Sequence, residues 1–419
     1  MSAPTTEPVG KPPAQLVIDR GNYFEDHVRL FQSGEVIVHA TPRTITAGDV
    51  AVYNALFGQR YAITSDDELA RSMGFDKAPV PWMLLFHMGF GKTVPDVSQL
   101  AVANLGYADV RFLRHVYPGD SLAAETRIIG YKENLIVDKV TGSKTSRGSG
   151  NVYVHSKIFR VGGQSRQAVV DFKRVVMVNK RERLSNTAAE LDLPETHVPE
   201  LPDAVADGVL YEMASAYPRA ATVTNVPAPA VLMGGRMTWD DYAIGMRINH
   251  GERRQITSAH MELPNLTQNT AKVHFAEGRV DTDSSVTATG IVYGGHVMSM
   301  ADAQAYYGFE RTLGVIAINN GKHVAPCFEG ESVAAWSVVE GKLAVPGRED
   351  IGLLVVRTVA AKNMPAGSFP DKDAKGQYPT VSTTIDINGH KHSADMGIVL
   401  DYERVLVMMT GASGAPPTR

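Results

Sequence analysis

Two stretches of the chain repeat each other at a fixed distance, and that repeat limits the fold more than any other feature. Gly34–His39 and Gly245–His250 both run from glycine to histidine, 211 positions apart, with Ile37 and Ile248 matching inside. The same step carries Ile45 and Thr46 onto Ile256 and Thr257. It also carries Gly119–Ala124 onto Gly330–Ala335 and Gly130 onto Gly341. Asp171–Val176 matches Asp401–Leu406 at a step of 230, so the second copy gains a net 19 residues before that point. Four blocks in register over more than 90 residues identify a duplicated domain. At 419 residues the chain exceeds one ordinary core, and two fused units of similar plan account for the length.

Composition sets the boundaries. Residues 1–20 are expected to form a disordered tail, being Pro-rich with little to bury. The first unit is assigned to 21–180 and the second to 233–410. Between them, 181–232 is rich in Ala, Pro and charge without alternation and reads as a linker with room for a short helix. Residues 411–419 form a second tail. Asn363–Tyr378, rich in Lys, Asp, Gly and Pro, is expected to be a solvated loop within the insertion. Each unit shows one helical stretch followed by strands. Helices are predicted around Trp82–Gly91 and over His296–Thr312. Strands are predicted near Val110–Phe112, Ser121–Gly130, Val152–Phe159 and Val169–Val178 in the first unit. In the second they fall at Ser332–Val339, Gly352–Ala361 and Gly397–Met409. One helix with a run of antiparallel strands places each copy in the α+β class.

Charge and cysteine usage exclude several function classes. Forty-one basic against 45 acidic residues give a net charge of −4, which disfavours nucleic acid or an anionic membrane as partner. No apolar run reaches the roughly 18–20 residues that span a bilayer, and the N-terminus lacks the apolar stretch of a signal peptide. A cytoplasmic location is expected. The single cysteine, Cys327, excludes an internal disulfide and a cysteine-clustered zinc site, and no partner motif makes it a nucleophile. No metal, phosphate-loop or redox motif is found.

The second copy contains Gln268–His274, followed by Ile291–His296. Here the sequence resembles the MaoC-like (R)-specific enoyl-CoA hydratases, a hotdog-fold family in which an Asp and a His five residues later sit at the site. Asn269 takes the Asp position and His274 the His position, with the spacing intact. Ala271 and Lys272 replace the family's Asn-Pro pair, and its His-Gly falls on Gly294 and Gly295. A longer resemblance, from about Gly21 to Thr410, is to the mesaconyl-CoA hydratase family within that group. It is carried by Gly21–Asp26, His39–Thr44, Phe90–Asp96, Val102–Tyr107, Gln268–His274 and Val292–Met300.

The resemblance implies a tandem (double) hotdog, each copy a long helix wrapped by an antiparallel sheet. The implied reaction is reversible water addition across a thioester-conjugated double bond. It needs no cofactor beyond the CoA carried by the substrate. The acyl-CoA thioester is the expected partner, together with a second copy of the chain, since symmetric dimers are the commonest soluble oligomers. His274 can exchange protons near neutral pH. Asn269 does not ionise and is expected to orient water, leaving His274 alone or an assisting carboxylate such as Glu277 to move the proton. Backbone N–H groups of Gly294 and Gly295 at a helix start would meet the thioester oxygen. A cation should face a mesaconyl group's free carboxylate, and Lys272, His296, Lys322, Arg43 and Lys92, with His323, are the candidate substrate contacts. The first copy has neither carboxylate nor imidazole over Gln59–Thr64, and no glycine pair after Pro81. It is therefore expected to shape the pocket rather than to react. His39 and His250 recur in both copies and are expected to be structural. Asp302 is expected to face solvent; in a competing reading, a hotdog thioesterase, it or Glu277 would be essential and Asn269 would matter little. A dehydratase acting on plain (3R)-hydroxyacyl thioesters is the other alternative, and a non-catalytic acyl-CoA binder the last.

Overall fold

The computed structural model describes residues 22–163, 165–181, 196–219, 229–275, 290–365, 381–387 and 390–411, with single positions between 366 and 380. Residues 1–20 and 412–419 of the expected tails, half of the Asn363–Tyr378 loop and Glu277 lie outside the described residues. The first unit supplies β1 (Val36–Val38), β2 (Arg43–Thr44), β3 (Ala101–Phe112), β4 (Ser121–Val137), β5 (Lys144–Gly162) and β6 (Ser165–Asn179). The second supplies β7 (Arg247–Gln255), β8 (Thr312–His323), β9 (Ser332–Ala344), β10 (Ile351–Lys362), β11 (Val381–Ile387) and β12 (His390–Met409). They form one antiparallel sheet in the order β1-β4-β5-β6-β3-β8-β12-β10-β9-β7, with β2 beside β4 and β11 beside β12. Read inward from either edge, the two halves follow the same plan.

The halves meet where β3 pairs with β8. Tyr107 lies opposite Gly321 and Val110 opposite Ile318. The 211-residue step carries Val110 onto Gly321 and Tyr107 onto Ile318, so this ladder pairs each strand with its own counterpart. A pseudo-twofold axis therefore runs through the junction. Each half wraps a central helix, Trp82–Val97 in the first and Gly294–Gln304 in the second, and the two helices pack together. Both are buried on nearly all sides, as a helix clasped by a curved sheet must be. The fold is a double hotdog of the α+β class.

Matched hydrogen-bond chains confirm the equivalence. His39 Nε2 meets Thr126 Oγ1 at 2.7 Å, which meets Ser156 Oγ at 2.8 Å. His250 Nε2 meets Ser337 Oγ at 2.8 Å, which meets Thr358 Oγ1 at 2.9 Å. These histidines tie the first strand of each unit across its sheet.

Two expectations are corrected. The second helix spans Gly294–Gln304 rather than His296–Thr312. Gly308, at φ 111°, turns the chain, and Thr312 opens β8. β8 escaped the sequence reading because its first eight residues are all buried and show no alternation, as befits a strand at the centre of the sheet. The segment between the units packs closely where it is described. His197 bridges Tyr131 through both backbone bonds, and a helix at Asp207–Ser215 lies against β8, with Leu210 and Met213 in the core.

Asp302 does not face solvent. It is fully buried and ion-paired with the equally buried Arg404, and it accepts from Trp82 Nε1 at 3.0 Å and Gln59 Nε2 at 3.2 Å. Removing one partner of such a pair leaves an uncompensated buried charge, at a cost of about 3–5 kcal/mol. Asp302→Asn is therefore expected to lower the urea midpoint markedly, with Trp82 fluorescence as the local reporter. The double variant Asp302→Leu/Arg404→Met should recover most of the loss.

Candidate active site

A cavity of about 390 Å³ opens between the units. One wall comes from the second: Asn269, Ala271, Val273, His274, Val292–Gly294, Val297, His323 and Cys327. The opposite wall comes from the first: Phe90, Val94, Ser98, Ala101–Leu105, Tyr107, Arg174 and Val176.

The loop carrying Asn269 and His274 is pinned from both sides. Gly91, in the first unit's helix, lets it approach, because a Cβ there would collide with the Thr267 carbonyl oxygen. Asn269 N–H donates to the Pro264 carbonyl at 2.8 Å, and Lys272 N–H donates to the Gln99 carbonyl of the first unit at 3.0 Å. Gln268 takes the left-handed conformation at φ 57°, and Lys92 Nζ donates to its Oε1 at 2.9 Å and to the Thr41 carbonyl. A single 3₁₀ turn, Lys272–His274, then presents the imidazole.

His274 Nδ1 lies 2.9 Å from the Ile291 carbonyl oxygen. A carbonyl only accepts, so Nδ1 carries the proton and Nε2 is left with a lone pair. Burial disfavours the imidazolium and lowers the His274 pKa from 6.5 to about 4, which the Ile291 carbonyl opposes. The ring is neutral at physiological pH. Asn269 is buried, and its Oδ1 accepts from Ala271 N–H at 3.0 Å, leaving the amide NH₂ to donate. Burial raises the pKa of the neighbouring Tyr293 phenol well above 10, an effect that Asn269 opposes. Tyr293 caps the second helix, its ring 5.3 Å from that of His274.

Gly294 and Gly295 open that helix, where N–H groups lack intrahelical partners. Gly294 lines the cavity and Gly295 stands behind it. Neither has room for a side chain: a Cβ on Gly294 would meet the His323 ring at 2.5 Å, and one on Gly295 the Tyr293 ring at 2.6 Å. His323 Nε2 lies 3.0 Å from Tyr107 OH, and burial lowers its pKa to about 4, so it is not a cation. Cys327 lines the wall with its thiol pushed up to about 12 by burial, unfit as a nucleophile at neutral pH.

The other residues singled out from the sequence stand elsewhere. Lys272 and Lys322 are exposed and do not line the cavity. Arg43 pairs with Asp49 and donates to the Leu266 carbonyl, while Lys92 braces the Gln268 turn. His296 is buried between Phe57 and His260. Asp302 belongs to the core pair described above. Tyr293, Tyr107 and Arg174 were not singled out. Tyr107 and Tyr293 lie within strings that carry the family resemblance, whereas nothing in the sequence marks Arg174 as buried. Among the described residues no group of three or more His, Cys, Asp or Glu could hold a metal, and no helix is long and apolar enough to cross a membrane.

Known proteins with this architecture share more than the fold. The sequence profile described as mesaconyl-CoA hydratase matches residues 15–363. A β-methylmalyl-CoA dehydratase of Chloroflexus aurantiacus is 42% identical over 395 residues, covering 93% of this chain and 97% of that one. A mesaconyl-CoA hydratase of Cereibacter sphaeroides is 39% identical over 370 residues, covering 87% and 96%. Among solved structures, a MaoC domain dehydratase from Chloroflexus aurantiacus superimposes with a TM-score of 0.75 at 39% identity, covering 94% of this chain and 99% of that one. A double-hotdog protein of Mycobacterium tuberculosis, at 21% identity and a TM-score of 0.61, covers 93% and 99% and shares the fold.

The geometry predicts an imidazole that resists protonation. Because burial lowers its pKa, His274 stays neutral as pH falls through 6.5 and gains its proton only near pH 4. An NMR titration of histidine-labelled protein, assigned with His274→Ala, should show that midpoint more than one unit below the ordinary value.

Proposed function

The chain belongs to the mesaconyl-CoA hydratase family, and from that premise we infer that the cavity between its two units carries out the family's reaction. The protein is a hydro-lyase that reversibly hydrates mesaconyl-CoA (2-methylfumaryl-CoA) to β-methylmalyl-CoA. The observation that carries the assignment to this cavity is the bare Nε2 of a neutral histidine beside a glycine-opened helix start.

In the hydration direction His274 Nε2 takes a proton from water as its oxygen bonds to the β-carbon of the double bond. The π electrons move toward the thioester, placing negative charge on its oxygen. The Gly294 N–H, aligned with the helix dipole, receives that charge; donors of this kind are worth about 10²–10³ in rate. The imidazolium then returns the proton to the α-carbon, so one water is consumed and His274 is regenerated. Asn269, fixed by Ala271 N–H, orients the water through its NH₂ group. No carboxylate lines the cavity among the described residues, which favours His274 acting alone over a shared Asp–His arrangement.

The competing thioesterase reading needs a reactive carboxylate on the second helix, and Asp302 is held in the core by Arg404 and Trp82. A dehydratase of plain acyl chains would suit a wholly apolar tunnel, and Arg174 in the cavity wall argues against one. The proposal extends to a cytoplasmic enzyme that needs no cofactor besides substrate-borne CoA and works as a homodimer.

The test is purified protein with mesaconyl-CoA, following loss of conjugated-enone absorbance, beside crotonyl-CoA and a free-thiol assay. Hydration of mesaconyl-CoA is expected to be the faster, with no thiol released. His274→Ala should lower kcat by at least about 10²-fold, the scale of general acid–base catalysis. Thiol release without hydration would overturn the assignment.

A further inference from the structure

Arg174 is fully buried, and no carboxylate lies within ion-pair distance of it among the described residues. Its guanidinium donates to Thr93 Oγ1 and Ser98 Oγ, both at 3.1 Å, and only distantly, at 3.5 Å, to Asn104 Oδ1. It lies over the Phe90 ring at 4.3 Å, and its Nε has no partner. A buried cation satisfied only by neutral groups is costly to fold. Of the described residues lining the 390 Å³ cavity, Arg174 alone is an Arg, Lys, Asp or Glu.

The pseudo-symmetry shows how this asymmetry arose in space. Arg174 pairs across its ladder with Tyr107, and Arg404 occupies the same place opposite Ile318, the counterpart of Tyr107. Arg404 is neutralised by Asp302. The 211-residue step carries Asp302 back onto Gly91, so the helix facing Arg174 offers no carboxylate at that position, and its Asp96 is taken by His39. The missing side chain also makes room for the loop that carries Asn269. Position 269, which would bear an Asp in related hydratases, is an uncharged amide. Among the described residues the cavity thus holds one buried positive charge without a counter-ion, whereas the equivalent arginine of the second unit is already paired in the core.

We propose that Arg174 is the specificity-determining cation of the site, receiving the free carboxylate of the acyl group. The inference rests on the hydratase reading above. A mesaconyl group carries its second carboxylate on the carbon that the water oxygen attacks. A guanidinium beside that carboxylate anchors the chain end with two parallel hydrogen bonds. It also offsets the negative charge that would oppose addition at the neighbouring carbon. Because the pair forms in a buried cavity, its effect is screened little by salt.

The test compares wild type with Arg174→Gln on three substrates: mesaconyl-CoA, the methyl ester of its free carboxylate, and crotonyl-CoA, which has no second carboxylate. Wild type should favour the acid over the ester by about 10²-fold in kcat/KM. Arg174→Gln should lose about 10²–10³-fold on the acid, the scale of a broken buried charge pair. Its losses on the ester and on crotonyl-CoA should be at least tenfold smaller. Equal losses on all three substrates would make Arg174 merely structural and overturn the inference. If the variant does not fold, the wild-type ratio of acid to ester decides, and a ratio near one overturns it. Hydration of crotonyl-CoA with none of mesaconyl-CoA would strike the functional reading itself, a result distinct from either.

Discussion

Edge-to-edge pairing of β3 with β8 governs the arrangement of everything else. Because each strand pairs with its own counterpart, the two central helices come together about a common axis and each cavity is walled by both units. A cavity of about 300 Å³, lined by Trp82, Val116, Leu313 and Val315, marks the second such place. The repeat step carries those residues onto Tyr293, Cys327, Val102 and Asn104 of the catalytic cavity. The ladder thus provides two related chambers, and a handful of side chains sets them apart. In the second chamber Trp82 stands where Tyr293 would be, and a short turn at Ala62–Thr64 carries no histidine.

Most of this difference concerns charge and space. Asp302 and Arg404 neutralise each other beneath Trp82, in the core behind the second chamber's wall. On the active side glycine replaces the carboxylate, the motif loop closes against the helix, and an arginine is left facing the cavity. Burial has the same chemical effect on each imidazole near the reacting centre. It holds His274 and His323 neutral, so the positive charge in the chamber is Arg174's.

The duplicated architecture was legible because the repeat lies in plain sequence, and the spacing from Asn269 to His274 pointed to a loop that lines the cavity between the units. Other features were hidden because they depend on burial. β8 is buried without a break over its first eight residues and gives no period-two signal at the centre of a sheet. Asp302 looked like a solvated helix residue because its partner lies 102 positions away. Arg174 sits in a run with Asp171 and Lys173 that alternates across the sheet, so a charged-looking string conceals one inward-facing cation. Lys92 and Arg43 were marked as cations available to substrate. In space Lys92 braces the motif loop and Arg43 reaches a backbone carbonyl of the Leu263–Leu266 helix just before it.

The loop of the second unit that carries Asn269 and His274 takes its shape from the first unit. Gln268 and Thr41 both hold left-handed backbones, a conformation that costs a non-glycine residue about 1–3 kcal/mol. A single ammonium, that of Lys92 on the first unit's helix, bonds to both residues. The Gln99 carbonyl fixes the next turn, Gly91 provides the clearance, and Phe90 and Val94 complete the wall. Separated from its partner, the second unit would keep Asn269 and His274 in sequence but lose the contacts that hold their loop in the reactive shape. Under the proposed assignment the first unit contributes by positioning, and fusing it to the second fixes that contribution at one per cavity.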